Sequence, residues 1–166
     1  MWTWDTGGLL PVRVGESAGA GTTTHTWWAD PQSTLGTAVA DGTPGGALSW
    51  LLADSTGSVT DTADGAGVTG SATLDPFGGP AAVTGTGYAG NPLRFHGQYL
   101  DTVTGLYDVR ARDYDASAGR FTGPDAHPAQ PGVGFAQTYG YAGNRPTVDA
   151  DPSGLCPICI GAIGGR

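Results

Sequence analysis

Along the chain an aspartate is repeatedly followed three or four residues later by a glycine, as at six places: Asp54 and Gly57, Asp64 and Gly67, Asp75 and Gly78, Asp101 and Gly105, Asp115 and Gly119, Asp151 and Gly154. An aspartate carboxylate accepts the backbone N–H two residues on, and glycine tolerates the positive φ that sends the chain back. Each pair therefore predicts a tight reversal. Residues that favour helices are scarce: there is no lysine, and Glu16 is the one glutamate against fourteen aspartates. With 30 glycines and 12 prolines as well, a helical bundle is excluded. Strand-like runs lie between the turns at 47–53, 58–62, 68–74 and 106–114. Taken as one strand, the last run puts Leu106, Asp108, Arg110, Arg112 and Tyr114 on one face and Tyr107, Val109 and Ala111 on the other. The intervals between the turn aspartates are 10, 11, 26, 14 and 36 residues, too irregular for a strict repeat. The expected fold is all-β, an irregular array of antiparallel hairpins with Gly/Pro-rich loops, in which neighbouring hairpins complete each other's core.

Residues 1–49 offer fewer anchors, chiefly Trp2, Trp4, Trp27 and Trp28, and are expected to be a degenerate or partly ordered lead-in to the hairpins of residues 50–90. A net charge of -8 with no basic cluster argues against a nucleic-acid partner, because phosphate neutralisation needs grouped Lys or Arg. Met1 is followed by Trp-Thr-Trp-Asp, without the basic and apolar regions of a signal peptide, so no export signal is expected. Both cysteines, Cys156 and Cys159, and all three isoleucines fall within residues 156–166, which marks a junction after Leu155. The CxxC spacing lacks two further ligands, since His25, His96 and His127 stand at no ligand-pair spacing. Neither a metal nor a cofactor is expected.

From Asn91 onward the text reads NPLRFHGQYLDTVTGLYDVRARDYDASAGRFTGPD and then YGYAGNRPTVDADPSGL. The order GQYLD, TGLYDVRARDYD, GRF, YGYAGN, DPSGL resembles the RHS repeat-associated core domain, the C-terminal end of RHS/YD-repeat polymorphic-toxin and Tc-toxin C-component proteins. The upstream WLLADSTGSVTDTADGAGVTGSATLDPFG is similar to the YD-repeat hairpins that precede that core. The resemblance implies four parts: a lead-in at 1–49, YD-repeat-like hairpins at 50–90, the core at 91–155, and the start of a variable segment at 156–166. It implies that the core plugs one end of a hollow YD-repeat shell, with that shell and a downstream toxin segment as its partners. Relatives of this kind are secreted or associated with the cell surface. A chain of 166 residues supplies only the last turns of such a shell, so a truncated sheet with an open edge and a tendency to self-associate is expected.

The resemblance further implies an intramolecular aspartic autoprotease that cuts after a motif like Asp-Pro-x-Gly-Leu. Here the motif runs from Asp151 to Leu155, which puts the scissile bond between Leu155 and Cys156, at the composition break. The second aspartate of the family pattern falls at Asp125; Pro124 precedes it, Ala126 follows where the family usually has proline, and Asp149 adds a third carboxylate nearby. Carboxylate-driven peptide hydrolysis needs one group to take a proton from water and one to polarise the carbonyl, and two close aspartates divide those states. Asp125 and Asp151 are the candidate catalytic pair, and a strand-like run at 137–142 lies between them. Arg120 is a candidate charge partner, or a side chain that covers the sheet with its stem. Pro152 and Gly154 present the bond, through a fixed approach and a close turn. Against this stands a non-catalytic reading, in which both aspartates form turns like the others and the chain is a structural β-module or a relic of an RHS toxin protein.

Overall fold

The computed structural model describes residues 1–6, 12–17, 23–29, 38–42, 46–126 and 138–155. The chain divides into two compact units, Met1–Thr73 with Ala82–Asn91, and Leu74–Ala81 with Pro92–Arg166. Both are all-β in character, as the turn pattern predicts, and among the described residues there is a single α-helix.

The first unit is built on an eight-stranded antiparallel sheet in sequence order: β1 (Trp2–Asp5), β2 (Val12–Ser17), β3 (Thr23–Ala29), β4 (Ala38–Gly42), β5 (Leu48–Ala53), β6 (Val59–Asp64), β7 (Gly67–Leu74) and β8 (Pro80–Thr84). The tip of the β7–β8 hairpin is counted with the second unit. The described part of residues 1–49 thus forms strands of the same sheet as the hairpins after it. The period of two sorts the side chains. Trp27 pairs with Asp41 and Leu51 with Thr62, and all four are buried. Trp28 and Trp50 flank Ala40 in register on the other face, each about half exposed. The helix α1 (Thr86–Gly90) seats the fully buried Tyr88 on the inner side, where its hydroxyl donates to the Val59 carbonyl at 3.0 Å. Gly70 permits this approach, because a Cβ there would overlap the Tyr88 backbone nitrogen.

Five of the six predicted turns are made by the predicted bond. Carboxylate oxygens of Asp54, Asp64, Asp75, Asp101 and Asp115 accept the amides of Thr56, Ala66, Phe77, Val103 and Ser117 at 2.7 to 2.9 Å. Asp151 instead accepts the Gly154 amide, three residues on, at 2.9 Å. All six glycines have positive φ.

The second unit has a four-stranded sheet in the order β12-β11-β10-β9, with β9 (Tyr99–Leu100), β10 (Tyr107–Val109), β11 (Arg112–Asp115) and β12 (Arg120–Phe121). Residues 106–114 are therefore a hairpin and not the one strand expected. Asp108 accepts the Arg110 amide at 2.9 Å, and Arg110 takes φ 57, which closes a two-residue loop. The consequence is a change of parity. Tyr107 and Tyr114, an odd seven residues apart, would face opposite ways along one strand; across the turn they are direct partners, both buried. They join Phe95, Val109, Phe121, Tyr141 and Ala142 in one core. Tyrosine hydroxyls in such a core need partners, and Tyr107 and Tyr114 donate to the carbonyls of Gly78 and Phe77 at 3.0 and 2.8 Å.

The strand expected at 137–142 is also replaced. Of its described residues only Gly140 makes a bridge, to Arg120, and the chain then enters a 3₁₀ turn at Ala142–Asn144. Ala142, Gly143 and Asn144 all have positive φ, a sequence of conformations that no strand accommodates.

Candidate functional site

The tip of the β10–β11 hairpin grips the segment that leads to the predicted cleavage bond. Three consecutive donors meet three consecutive carbonyls: Arg110 Nη1 donates to Pro152, the Ala111 amide to Ser153 at 3.2 Å, and Arg112 Nε to Gly154. Gly154 has φ 70, and a Cβ there would overlap the Val109 carbonyl oxygen, so the close approach requires glycine. Pro152 has no amide to satisfy, and its carbonyl is the first of the three held.

The same arginine collects the two predicted aspartates. Arg112 Nη2 lies 3.2 Å from Asp151 Oδ2 and 3.2 Å from Asp125 Oδ2, so the two carboxylate oxygens are no more than twice that distance apart. Its Nη1 donates to the Thr138 carbonyl at 3.2 Å, and its guanidinium carbon stands 3.6 Å over the Phe121 ring. The Asp125 amide donates to that same Thr138 carbonyl at 2.9 Å, which fixes where residue 125 stands. A planar fork with five donors is the side chain suited to such a junction.

The carboxylates differ in setting. Asp151 is fully buried; Oδ1 accepts the Gly154 amide at 2.9 Å and the Ser153 hydroxyl at 3.1 Å, while Oδ2 takes Arg112. Asp125 keeps 15% of its side-chain surface exposed. The Ser153 oxygen in turn accepts the Leu155 amide at 3.1 Å, so the peptide before the predicted scissile bond is held at its carbonyl and at its N–H. Leu155 is half-buried, and Cys156 lies outside the described residues.

Two neighbours of the motif stand apart from this junction. Asp149 forms its ion pair with Arg145, at 3.4 Å. Arg120 is exposed, donates to the Ala118 carbonyl at 3.4 Å and acts on Asp115, whose carboxyl is held below its ordinary range chiefly by the Ser117 hydroxyl. The cation at the two aspartates is Arg112, which the sequence placed only as a strand residue; its partners lie 13 and 39 positions away, and nothing local signals them. Behind the junction, burial pushes the Tyr141 hydroxyl far above its ordinary pKa, with the Asp151 charge adding to the effect. Among the described residues no group of three or more His, Cys, Asp or Glu could hold a metal ion, and no helix is long and apolar enough to cross a membrane.

No family model matches the chain. It is 41% identical over 88 residues to salivary gland surface protein 1 of Aedes aegypti, a match covering 47% of this chain and 2% of that protein. It is 44% identical over 77 residues to toxin protein Tse5 of Pseudomonas aeruginosa, covering 45% of this chain and 6% of that protein. The fold matches the crystal structure of TcdB2-TccC3 without its hypervariable C-terminal region, with TM-score 0.63 and 22% identity over 87% of this chain and 7% of that one. The chain is related to the RHS and Tc-toxin proteins. It spans only a few per cent of the length of these relatives. Within an RHS-related fold the junction at Arg112 is the place where the two aspartates and the Asp151 to Leu155 segment meet.

Proposed function

We propose that this chain is the end of an RHS shell, that it plugs the shell, and that it cleaves itself between Leu155 and Cys156 by carboxylate catalysis to free whatever follows. The observation that carries the reading is the convergence of Asp125 and Asp151 on one nitrogen of Arg112, while Arg112 Nε holds the carbonyl one residue before the bond to be cut. Asp125, on the accessible side, takes a proton from water as the water oxygen attacks the Leu155 carbonyl. The carbon–nitrogen bond then breaks, the proton passes to the Cys156 nitrogen, and a new carboxyl ends at Leu155. Asp151 has its oxygens occupied by the Gly154 amide, the Ser153 hydroxyl and Arg112, and its part is to hold the segment in place. Arg112 offsets the repulsion of gathering two carboxylates. Because the substrate is the enzyme's own chain, no translational entropy is lost in bringing them together.

The saturation of Asp151 favours a second reading, a plug in which the hairpin simply clamps its own tail and nothing is cut. Exchange of Asp125 for Asn separates the two. It keeps size and hydrogen bonding and removes the base, so intact mass spectrometry should show an uncut chain beside a wild type that ends at Leu155. A wild type that stays intact would leave the clamp as the function, and equal cutting in both would remove Asp125 as the base. The partners of either reading are the remaining YD-repeat shell and a downstream toxin segment.

A further inference from the structure

We propose that Tyr141 and His96 are a positioning pair for Asp151, an assignment that rests on the autoprotease reading. Tyr141 is fully buried in the aromatic core, and its ring centroid lies 4.4 Å from that of Tyr114. Its hydroxyl has two partners: it accepts the Asp151 backbone N–H and donates to His96 Nδ1 at 2.7 Å. His96 Nε2 stands 3.0 Å from the Pro146 carbonyl, which only accepts. In the neutral imidazole Nε2 therefore carries the proton and Nδ1 offers its lone pair.

The backbone shows how firmly this imidazole is held. His96 has φ 49 and ψ 30, a conformation that side chains other than glycine rarely adopt and that persists only where surrounding contacts over-determine it. The ring also stacks on Phe95, with centroids 4.0 Å apart. One imidazole thus ties down Tyr141 and Pro146 directly, and the Tyr141 hydroxyl extends the tie to residue 151. The Asp151 carboxylate is fixed from the front by Arg112 and its own loop, and its backbone is fixed from behind by Tyr141. A displacement of a few tenths of an ångström at residue 151 moves the clamped segment relative to Asp125, and reaction geometry is sensitive on that scale.

Three variants of the full chain test the pair through the first-order rate of cleavage, read by intact mass. Tyr141→Phe keeps the ring packing, loses the hydroxyl, and should cut at least about ten-fold more slowly. His96→Phe fills the space without an acceptor and should match it. His96→Asn retains an acceptor opposite Tyr141 and tolerates the left-handed backbone, so it should stay within about three-fold of wild type. Amide exchange supplies a readout independent of cutting: in Tyr141→Phe the Asp151 amide should exchange at least about ten-fold faster, while the Phe121 amide, bonded to the Tyr139 carbonyl, is unchanged. Wild-type cutting by Tyr141→Phe, equal rates in the two His96 variants, or an unchanged Asp151 amide would each overturn the pair. Failure of the autoprotease reading looks different: it appears as a wild type that stays uncut or as cutting that persists in Asp125→Asn, with the exchange result unaffected.

Discussion

Arg112 is the residue on which the site depends, because one nearly buried guanidinium answers two carboxylates and two carbonyls at once. Removing one member of a buried charge group leaves the others unpaired, which costs about 3 to 5 kcal/mol. Arg112→Met should therefore lower the unfolding free energy of the chain, read from its denaturant titration, by an amount of that order, whether or not it also stops cleavage. A loss below about 1 kcal/mol, the range of an exposed pair, would show that the junction is weaker than its geometry. Gly154→Ala is a sharper probe of the segment itself. The methyl would meet the Val109 carbonyl, and φ 70 is strained for alanine, so cleavage should fall by more than ten-fold, or about 1.4 kcal/mol in barrier. Cleavage by Gly154→Ala at the wild-type rate would mean that the bond is not presented from this clamp.

At the scale of elements the sheets show how local bonds and distant pairings share the work. In the first unit His25 on β3 has Nδ1 at 2.9 Å from Asp41 on β4, while its ring stacks on Trp27 with centroids 5.4 Å apart. Its pKa is raised above 6.5, first by the hydrogen bond to Asp41, with the Asp41 and Glu16 charges adding and burial opposing. A base whose folded pKa is raised contributes stability that is fully present below the unfolded value and is lost as pH rises through the folded one. The melting temperature should therefore fall as pH is taken from 6 to above the folded pKa, and His25→Gln should flatten that part of the profile. An unchanged slope in the variant would remove His25 as its source. The turns were legible in the sequence because each is closed by an aspartate and an amide two or three residues away, a distance that residue order alone specifies. The hairpin at 107–115 was not, because Arg110 occupies a turn position where a glycine would have signalled the reversal, and without that signal the period of two runs straight through. The candidate aspartates were legible only through the family motifs around them. Arg112 was legible by neither route, since what gathers it with Asp125 and Asp151 is the pairing of strands far apart in sequence.

The whole molecule presents two all-β units of different character, and the outer face of the first is unusually apolar. Trp28, Trp50 and Leu52 are 48%, 49% and 46% exposed, whereas Leu51 between the last two is buried. An apolar face of this kind is the mark of an interaction surface. The isolated chain should bind a hydrophobic dye, and changing Trp28 and Trp50 together to Thr should reduce the signal at least two-fold; an unchanged signal would place the apolar surface elsewhere. The proposed self-cleavage belongs to the other unit, where two aspartates and one arginine meet the segment ending at Leu155. Intact mass spectrometry of the purified chain, followed over time at several protein concentrations, tests it most directly. The wild type should convert to a product ending at Leu155 with a rate that does not depend on concentration, and Asp125→Asn should show no conversion. A wild-type chain that keeps its Leu155–Cys156 bond, or a cut whose rate scales with concentration, would contradict it.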